Sequence, residues 1–365
     1  MRVGIAGTGS VGLGCAALLD AGGHQPMLWA PRGAVGAGRR VVEAAGLFEH
    51  CCEVPVAGDV AEFAAMDVII VCVLGNGHRA VFEALAPVLR SGQSVIISSH
   101  CSLGALHLSR LIAARGLDVP VVAWATTLTG GPKINGQPHV RLLRGELDVA
   151  TLPASKLEHG LALSRHLFKA RFSPSATMLA IALSNLNPPI HMANAMLNFT
   201  RIEKAEVWAN YGCITEGVGR LVEALDTERL AIAAAFGEHV RSAREHYLKS
   251  FPGLVPGRVD ELSAQVDARR KGTAPGPTSA DTRYITEDLP FGIHPVAMLG
   301  RLAGVDVRVH EAGLTLMGAV YGRDLAAEND LLPVVGLARM DVPLLRSIVT
   351  EGWTPAALAR VWPSA

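Results

Sequence analysis

The pattern of hydrophobic and polar positions divides the chain into two parts. Up to about residue 150, short runs that are apolar on both faces alternate with segments of helical periodicity. Strands that are buried on both faces are typical of a parallel sheet covered by helices on each side. The predicted strands are 2–7, 25–30, 67–73, 94–99 and 120–125, with a further one at 146–153.

Beyond the last strand the pattern becomes helical. One segment, 251–284, interrupts it with many prolines, glycines and charges, which is typical of a mobile loop or lid. We therefore expect an α/β domain with a doubly wound parallel sheet at residues 1–175, followed by a mostly α-helical domain at residues 176–365. The predicted helices after the sheet are 155–168, 176–198, 214–248, 292–303, 308–320 and 340–361.

Composition narrows the function to small-molecule chemistry. The chain has 365 residues, and its 33 Lys and Arg balance its 33 Asp and Glu, so no global field favours nucleic acid, an anionic membrane or an acidic protein. The longest apolar run, "VIIVCVL" at 68–74, is far shorter than the roughly 20 residues that span a bilayer. The N-terminus enters a strand at once, without a secretory pattern, so we expect a cytoplasmic protein.

The six cysteines lie in apolar or irregular contexts without a pair of C-x-x-C clusters. This pattern favours reduced, buried thiols over disulfides or zinc ligands, and no metal site is predicted. A redox site at the adjacent Cys51 and Cys52 is the alternative. The other cysteines are Cys15, Cys72, Cys101 and Cys213.

A glycine motif follows the first predicted strand. In "GTGSVG", Gly7, Gly9 and Gly12 have the spacing G-x-G-x-x-G, and a helical run comes next. Glycine permits a tight turn, and the backbone N–H groups around Ser10 and Val11 can then meet a pyrophosphate at the helix N-terminus. Glycines that only allow close helix packing are the alternative. The strand before and the helix after favour a Rossmann dinucleotide site.

The segment after the second strand bears on which dinucleotide binds. An acidic residue there would hold the ribose hydroxyls of NAD, but 28–40 has no carboxylate and contains Arg32, Arg39 and Arg40. Arginine side chains suit a 2′-phosphate. NADP is therefore the predicted cofactor, with NAD as a second possibility, and simple solvation of surface arginines is the alternative explanation.

The loop after the third main strand, "LGNGHRA" at 74–80, follows the carboxyl end of a parallel strand. Doubly wound folds bind ligands at that edge of the sheet. Asn76 and His78 are therefore candidates to border a nicotinamide ring. A glycine-rich turn and a helix start explain the same residues equally well.

The stretch "SNLNPPIHMANAML", 184–197, breaks an apolar helix with two prolines. Asn187 can cap a second helix that has Pro188 and Pro189 in its first turn, where a missing N–H costs little. His191 follows Asn187 by four residues and can share its helical face. The alternative is a core histidine that hydrogen-bonds a carbonyl exposed by the kink.

A second polar motif is "DTRYITEDLPFGIHP", 281–295, which follows the expected loop. It places Arg283 five residues before Asp288, ahead of an apolar turn. An acid in that position usually caps a helix, and both Glu287 and Asp288 fit that role.

At these residues the chain resembles the opine dehydrogenases of the octopine and nopaline dehydrogenase group. The resemblance extends from the glycine motif through "LSNLNPPIHMANAMLN" and "REHYLKSF" to "RYITEDLPFGIHPVAMLGRLAG". Its specific elements are Asn-x-x-x-His and Arg-x-x-x-x-Asp. The resemblance implies that His191 and Asp288 form a catalytic pair, that Asn187 is a partner at the helix break, and that Arg283 binds a substrate carboxylate.

The resemblance also implies a reaction. The amino group of an amino acid and the carbonyl of a 2-oxo acid condense to an imine, which takes a hydride from NAD(P)H. An imidazole can accept the ammonium proton and return it to the carbinolamine oxygen, and a carboxylate can fix its tautomer. The residues therefore suit the reaction on chemical grounds.

Two alternatives stay open at this point. One is a reductase of the ketopantoate or glycerol-phosphate type, families that rely on a lysine on a helix of the second domain. This chain has no lysine between Arg171 and Arg201, and the helix carries His191 instead, which counts against that class. A non-catalytic NADP-binding regulatory protein would keep the fold without turnover. The apolar helices of the second half are compatible with a homodimer.

Overall fold

The computed structural model describes residues 1–31, 33 and 36–362. The chain packs into two compact units. The first is formed by residues 1–182 together with 331–365, and the second by residues 183–330. The helical pattern of the C-terminal segment predicts that it belongs to the helical domain, whereas in the structure it packs with the first unit.

Eleven strands of the described chain form one sheet, and two short strands form a second. The strands are β1 (Arg2–Ala6), β2 (Gln25–Trp29), β3 (Gly38–Gly46), β4 (His50–Val56), β5 (Val68–Val71), β6 (Ser94–Ile97), β7 (Val121–Trp124), β8 (Thr129–Gly130), β9 (Lys133–Ile134), β10 (Gln137–Val140), β11 (Leu142–Leu143), β12 (Glu146–Leu152) and β13 (Arg171–Pro174).

The sheet has the order β13-β12-β7-β6-β5-β1-β2-β4-β3-β10-β9. Its centre, from β7 to β4, is parallel, and Ile5 of β1 lies beside Leu28 of β2 and Ile70 of β5. Side chains of β1, β5, β6 and β7 are buried on both faces, as the apolar runs predict. The strand order reverses between β1 and β5, which is where doubly wound sheets bind ligands. The predicted fold class is confirmed.

Sixteen α-helices cover the sheet or form the second unit in the described part of the chain. None of them combines the length and the apolar character needed to cross a membrane. They are α1 (Ser10–Ala21), α2 (Gly75–Leu85), α3 (Gly104–Ala114), α4 (Leu157–Leu167), α5 (Met178–Ser184), α6 (Asn187–Leu197), α7 (Phe199–Glu203), α8 (Glu216–Ala235), α9 (Ala243–Ser250), α10 (Val259–Arg270), α11 (Arg283–Thr286), α12 (His294–Ala303), α13 (Arg308–Tyr321), α14 (Leu331–Val335), α15 (Val342–Glu351) and α16 (Pro355–Val361).

The hairpin of β3 and β4 lies where the sequence analysis predicts no strand. Only one face of this hairpin is buried, through side chains such as Val42, Ala44 and Val54. The other face has charged side chains, among them Arg39, which pairs with Glu53 at 3.0 Å. A hairpin of this kind lacks the continuous apolar run used to recognise the central strands.

The expectation of a loop throughout residues 251–284 is wrong, because α10 lies within that segment. Glu261 accepts the backbone N–H of Arg258 at 2.7 Å and so helps to begin the helix. Val259, Leu262 and Val266 are buried in the core of the second unit, where α10 packs against α8. Burial of this apolar stripe stabilises the helix. Because most other residues of α10 are polar, the sequence of this segment resembles that of a loop.

The C-terminal helices α14 to α16 complete the first unit. Helix α14 packs against α3, and the indole Nε1 of Trp353 donates to the carbonyl of Leu106 at 2.9 Å. Trp353 is buried among these helices. This return of the chain is a long-range contact, so helical periodicity alone gives no indication of it.

Candidate functional site

The candidate catalytic residues all lie in the second unit, beginning at α6. This helix starts at Asn187 and has Pro188 and Pro189 in its first turn, as predicted. The expected cap is wrong, however. Asn187 is the first helical residue, and its backbone N–H donates to the side chain of Asn185 at 3.1 Å, so Asn185 satisfies the helix start. The exposed Asn187 lies one turn before His191.

His191 and Asp288 are in direct contact. The imidazole Nδ1 lies 2.6 Å from Asp288 Oδ2, and the two side chains are 15% and 7% exposed. Asp288 precedes a π-helical turn but makes no side-chain capping hydrogen bond there. An ionised carboxylate can only accept, so Nδ1 carries the hydrogen and Nε2 is left to accept a proton. The pair has the geometry of a base with its orienting acid.

The π-helical turn Leu289–Ile293 sets the position of Asp288. Gly292 of this turn packs directly on Pro188 of α6, and a Cβ atom on Gly292 would lie only 2.3 Å from the proline Cγ. Asn329 donates from Nδ2 to the carbonyl of Pro290 at 2.7 Å, which anchors the other side of the turn. The proline break and the glycine turn therefore fit together and bring the carboxylate to the imidazole.

Tyr284 is a site residue that the sequence analysis did not single out. Its ring stacks on the ring of His191, with centroids 3.7 Å apart and planes inclined by 4°. Burial, together with the nearby Tyr211 and Asp288, raises the pKa of the Tyr284 hydroxyl to about 12, so the phenol is neutral at physiological pH. Its place beside Arg283 in the motif is the only sequence signal that could have suggested a role.

Arg283 begins the short helix α11, where the Thr282 side chain accepts the N–H of Tyr284. Its Nε lies 3.4 Å from Glu287 Oε2, and its side chain is 57% exposed. Glu287 is 19% exposed, but an ion pair at this distance whose arginine is mostly in solvent is weak. The guanidinium is therefore accessible to a second carboxylate in solution.

Two asparagines, one in α6 and one at its C-cap, lie one and two turns after His191 and anchor the helix. Asn194 is buried and donates to both oxygens of Asn210 at 2.9 Å. Asn198 donates to Asn194 and to the carbonyl of Cys213. Buried amides that are satisfied in this way hold α6 in one position against the segment that follows it.

The glycine motif of the first unit forms the turn from β1 to α1. A Cβ on Gly7, which has φ of +127°, would lie 2.3 Å from the carbonyl oxygen of Cys72, and one on Gly12 would lie 2.1 Å from that of Gly7. A Cβ on Gly9 would meet no atom within 4 Å. Two glycines thus allow close packing, while Gly9 leaves open space at the helix N-terminus. This arrangement fits a bound pyrophosphate.

Of the other residues predicted to contact the nucleotide, three lie in the first turn of a helix and one is buried. Ser10 and Val11 lie in the first turn of α1, where an anion would meet their N–H groups. Asn76 is exposed in the first turn of α2 after β5. The expectation for His78 is wrong, since it is completely buried, lies 3.5 Å from the Cys101 thiol, and has its pKa lowered to about 4 by burial.

The arginines behind the NADP prediction are only partly described. Arg32 lies outside the described residues. Arg39 and Arg40 are on β3, where Arg39 pairs with Glu53 and Arg40 donates to the carbonyl of Gly136 at 2.9 Å. Both have partners within the protein, so the prediction of NADP as the cofactor depends mainly on Arg32.

Comparison with known families gives one match for each half of the chain. Residues 174–321, from before α5 to the end of α13, match the family described as NAD/NADP octopine/nopaline dehydrogenase, alpha-helical domain. Residues 3–133 match the ketopantoate reductase PanE/ApbA family.

Comparison with individual proteins agrees with the match to the octopine/nopaline dehydrogenase family. An opine dehydrogenase of Arthrobacter sp. (strain 1C) is 29% identical over 286 residues, which are 78% of this chain and 79% of that protein. A structure of octopine dehydrogenase with NADH and L-arginine matches with a TM-score of 0.77 at 16% identity, over 97% of this chain and 99% of that one. A second structure of octopine dehydrogenase, with NADH and pyruvate, matches with a TM-score of 0.70 at 15% identity, over 100% of this chain and 99% of that one. At such identity the structures show a shared fold.

A doubly wound dinucleotide-binding sheet followed by this helical domain indicates the class of NAD(P)-dependent oxidoreductases. Within that class, the resemblance of the chain to the opine dehydrogenase family, predicted from its motifs, is confirmed.

Proposed function

We propose that the protein catalyses the NADPH-dependent reductive condensation of an amino acid with a 2-oxo acid to an N-(carboxyalkyl)amino acid, and the reverse oxidation. The observation that carries this proposal is the contact between His191 and Asp288, 2.6 Å, under the ring of Tyr284. It supports acid-base chemistry at an accessible imidazole, within a domain of the octopine/nopaline type. The relatives' ligands, NADH with L-arginine or with pyruvate, agree with these substrate classes.

His191 would move two protons in the condensation. Its Nε2 accepts a proton from the substrate ammonium group, which frees the amine to attack the 2-oxo carbonyl. The resulting imidazolium is stabilised by Asp288 and donates a proton to the carbinolamine hydroxyl, so that water leaves and the imine forms. Tyr284 restricts the ring to one plane, and its neutral phenol places no competing charge beside the imidazolium.

Arg283 would orient the 2-oxo acid. Its exposed guanidinium can form a bidentate pair with the carboxylate next to the reacting carbonyl, in place of the weak contact to Glu287. The nucleotide would be held by Gly7, Gly9, Ser10, Val11, Gly12 and Asn76, with Arg32 toward a 2′-phosphate. The bound cofactor supplies the hydride that reduces the imine.

The deciding experiment measures oxidation of NADPH and of NADH by the purified protein. Amino acids are combined with pyruvate, 2-oxoglutarate, glyoxylate and oxaloacetate, and each oxo acid is also tested alone. We expect consumption only when an amine and an oxo acid are both present, with the secondary amine identified by mass spectrometry. Consumption with an oxo acid alone would make the protein a reductase of the ketopantoate type instead.

Absence of turnover across the whole matrix, in a protein that still binds the nucleotide, would contradict the proposal and favour a non-catalytic binding protein.

A further inference from the structure

A second cluster of reactive side chains lies in the first unit, at the last turn of α1. Asp20 Oδ2 lies 2.8 Å from His50 Nε2, and the thiol of Cys52 completes a group whose donor atoms all lie within 4.8 Å of one another. Asp20 is the penultimate residue of α1, about 15 Å along the helix from the glycine turn. The cluster is therefore remote from the nucleotide end of the helix and is not used by the proposed reaction.

Strand geometry explains why these side chains converge. His50 and Cys52 are the first and third residues of β4, so they project from the same face of the hairpin, the face on which α1 packs. Cys51, between them, is exposed. The sequence "HCC" thus presents one imidazole and one thiol to Asp20.

The donor set selects a class of ligand. A carboxylate oxygen, an imidazole nitrogen and a thiol sulfur together suit a borderline-soft divalent cation such as Zn²⁺. The surroundings of the Cys52 thiol also favour metal binding. The only hydrogen bond found for Cys52 Sγ in the described chain is a long one, 4.0 Å, to the carbonyl of Val42. The sulfur thus has no strong partner that a metal would have to displace.

The cluster has the access and the room that a metal needs. Cys52 is buried, but Asp20 and His50 are 38% and 27% exposed, which leaves an entry path and a place for water as a fourth ligand. Ligands at tetrahedral zinc lie about 3.3–3.8 Å apart. The 2.8 Å contact between Asp20 and His50 therefore has to open by about 0.5 Å, which two partly exposed side chains can do.

We propose that Asp20, His50 and Cys52 form a three-ligand site for Zn²⁺ or a divalent cation of similar softness. Binding replaces the thiol proton, which leaves to solvent, by a sulfur–metal bond. The ion's two positive charges then balance one carboxylate and one thiolate, while His50 ligates as the neutral imidazole through Nε2. The metal would tie the β3–β4 hairpin to the end of α1, which is a structural rather than a catalytic role.

The test uses the full-length protein, with any affinity tag removed, after treatment with a chelator and in a non-thiol reductant. Titration with Co²⁺ should give one equivalent of binding with a thiolate-to-cobalt charge-transfer absorption, and Zn²⁺ should displace it. Cys52→Ser should abolish this absorption and weaken Zn²⁺ binding by about 100-fold or more, since loss of a ligand costs more than loss of an outer partner.

Cys51→Ser is the matched control, because it removes the neighbouring thiol on the opposite face of the strand. It should keep the absorption and bind Zn²⁺ within about 2-fold of the parent. His50→Gln, at a partly exposed position, tests the site independently should Cys52→Ser fold poorly, and should also weaken Zn²⁺ binding at least about 10-fold.

Three results would overturn the proposal: no charge-transfer absorption in the parent protein, an unchanged absorption in Cys52→Ser, or its loss in Cys51→Ser alone. None of these readouts depends on enzymatic activity, so they are separate from the test of the proposed function.

Discussion

At the scale of single residues, the proposed chemistry depends on which nitrogen of His191 carries a hydrogen. Asp288 accepts from Nδ1 and thereby leaves Nε2 as the basic atom. The stacked ring of Tyr284 keeps this nitrogen in one direction. A change that leaves every atom in place but reverses the hydrogen bond should therefore be enough to lower the rate.

Asp288→Asn makes that change. An amide in this position can donate to Nδ1 as well as accept from it, so it no longer imposes the tautomer with a basic Nε2. We expect kcat to fall by roughly 10² or more, with little change in nucleotide affinity. Steady-state kinetics together with nucleotide binding by fluorescence would measure both quantities.

Asp306→Asn is the control for this prediction, because Asp306 is an exposed acid of the same unit that pairs with Arg308 on the surface. It should leave kcat unchanged. An Asp288→Asn protein with the parental kcat would show that the pair is structural.

At the scale of elements, the proposed catalytic pair depends on the fit of the turn Leu289–Ile293 against α6. Pro188 presents a flat ring where α6 begins, and Gly292 offers no side chain against it. The proline at the start of α6 and the glycine of the π-helical turn therefore have surfaces that fit each other. Their contact fixes the distance between Asp288 and His191.

Gly292→Ala tests this fit. A Cβ 2.3 Å from Pro188 Cγ cannot be accommodated without moving the turn away from α6. Because a displacement of about 1 Å at a catalytic group can cost up to about 10²-fold, we expect kcat to fall by roughly 10-fold to 10²-fold. Circular dichroism and urea unfolding would verify that the protein remains folded.

Gly217→Ala is the matched control in the same unit. A Cβ there meets no atom within 4 Å, and the residue lies in the first turn of α8. Stability should rise by up to about 1 kcal/mol and kcat should not change. Full activity of Gly292→Ala would mean that the turn tolerates a larger separation than the contact suggests.

At the scale of the whole molecule, buried histidines connect stability to pH. His78 and His100 are almost completely buried, and burial lowers their pKa values to about 4 and about 3. His107 is also lowered to about 4, again mainly by burial. All three are neutral in the folded state at pH 5, whereas an unfolded chain would protonate them below about pH 6.5.

The sign of the pH effect follows from this difference. Between pH 6.5 and about 4 the unfolded state binds more protons, so the free energy of unfolding must fall as the pH is lowered. From pH 7.5 to pH 5 we expect a loss of about 2 kcal/mol for each histidine with a folded pKa near 4. Urea unfolding at several pH values, followed by tryptophan fluorescence, would measure this slope.

His78→Asn should make the slope shallower, because it removes one of the buried titrating groups. His239→Gln should leave it unchanged, because His239 is exposed. A urea midpoint that does not move between pH 7.5 and pH 5 would contradict the assignment of these histidines as neutral in the folded protein.

Much of the architecture was determined by the sequence itself. The central strands and the glycine turn depend on apolar runs and on backbone freedom, which act within about ten residues of the chain. The same local reasoning predicted that a new helix, α6, begins at Asn187–Pro189. The residues of the proposed acid-base pair were predicted from two motifs and a family resemblance, and not from periodicity.

Only the tertiary structure decided the rest. His191 and Asp288 are 97 residues apart, and their contact depends on the packing of a glycine turn on a proline. The burial of His78, the stacking of Tyr284, the return of Trp353 to α3 and the meeting of Asp20 with His50 are likewise long-range contacts. Local pattern fixes which face of an element is apolar, but the choice of partner for that face is made by packing across the whole chain.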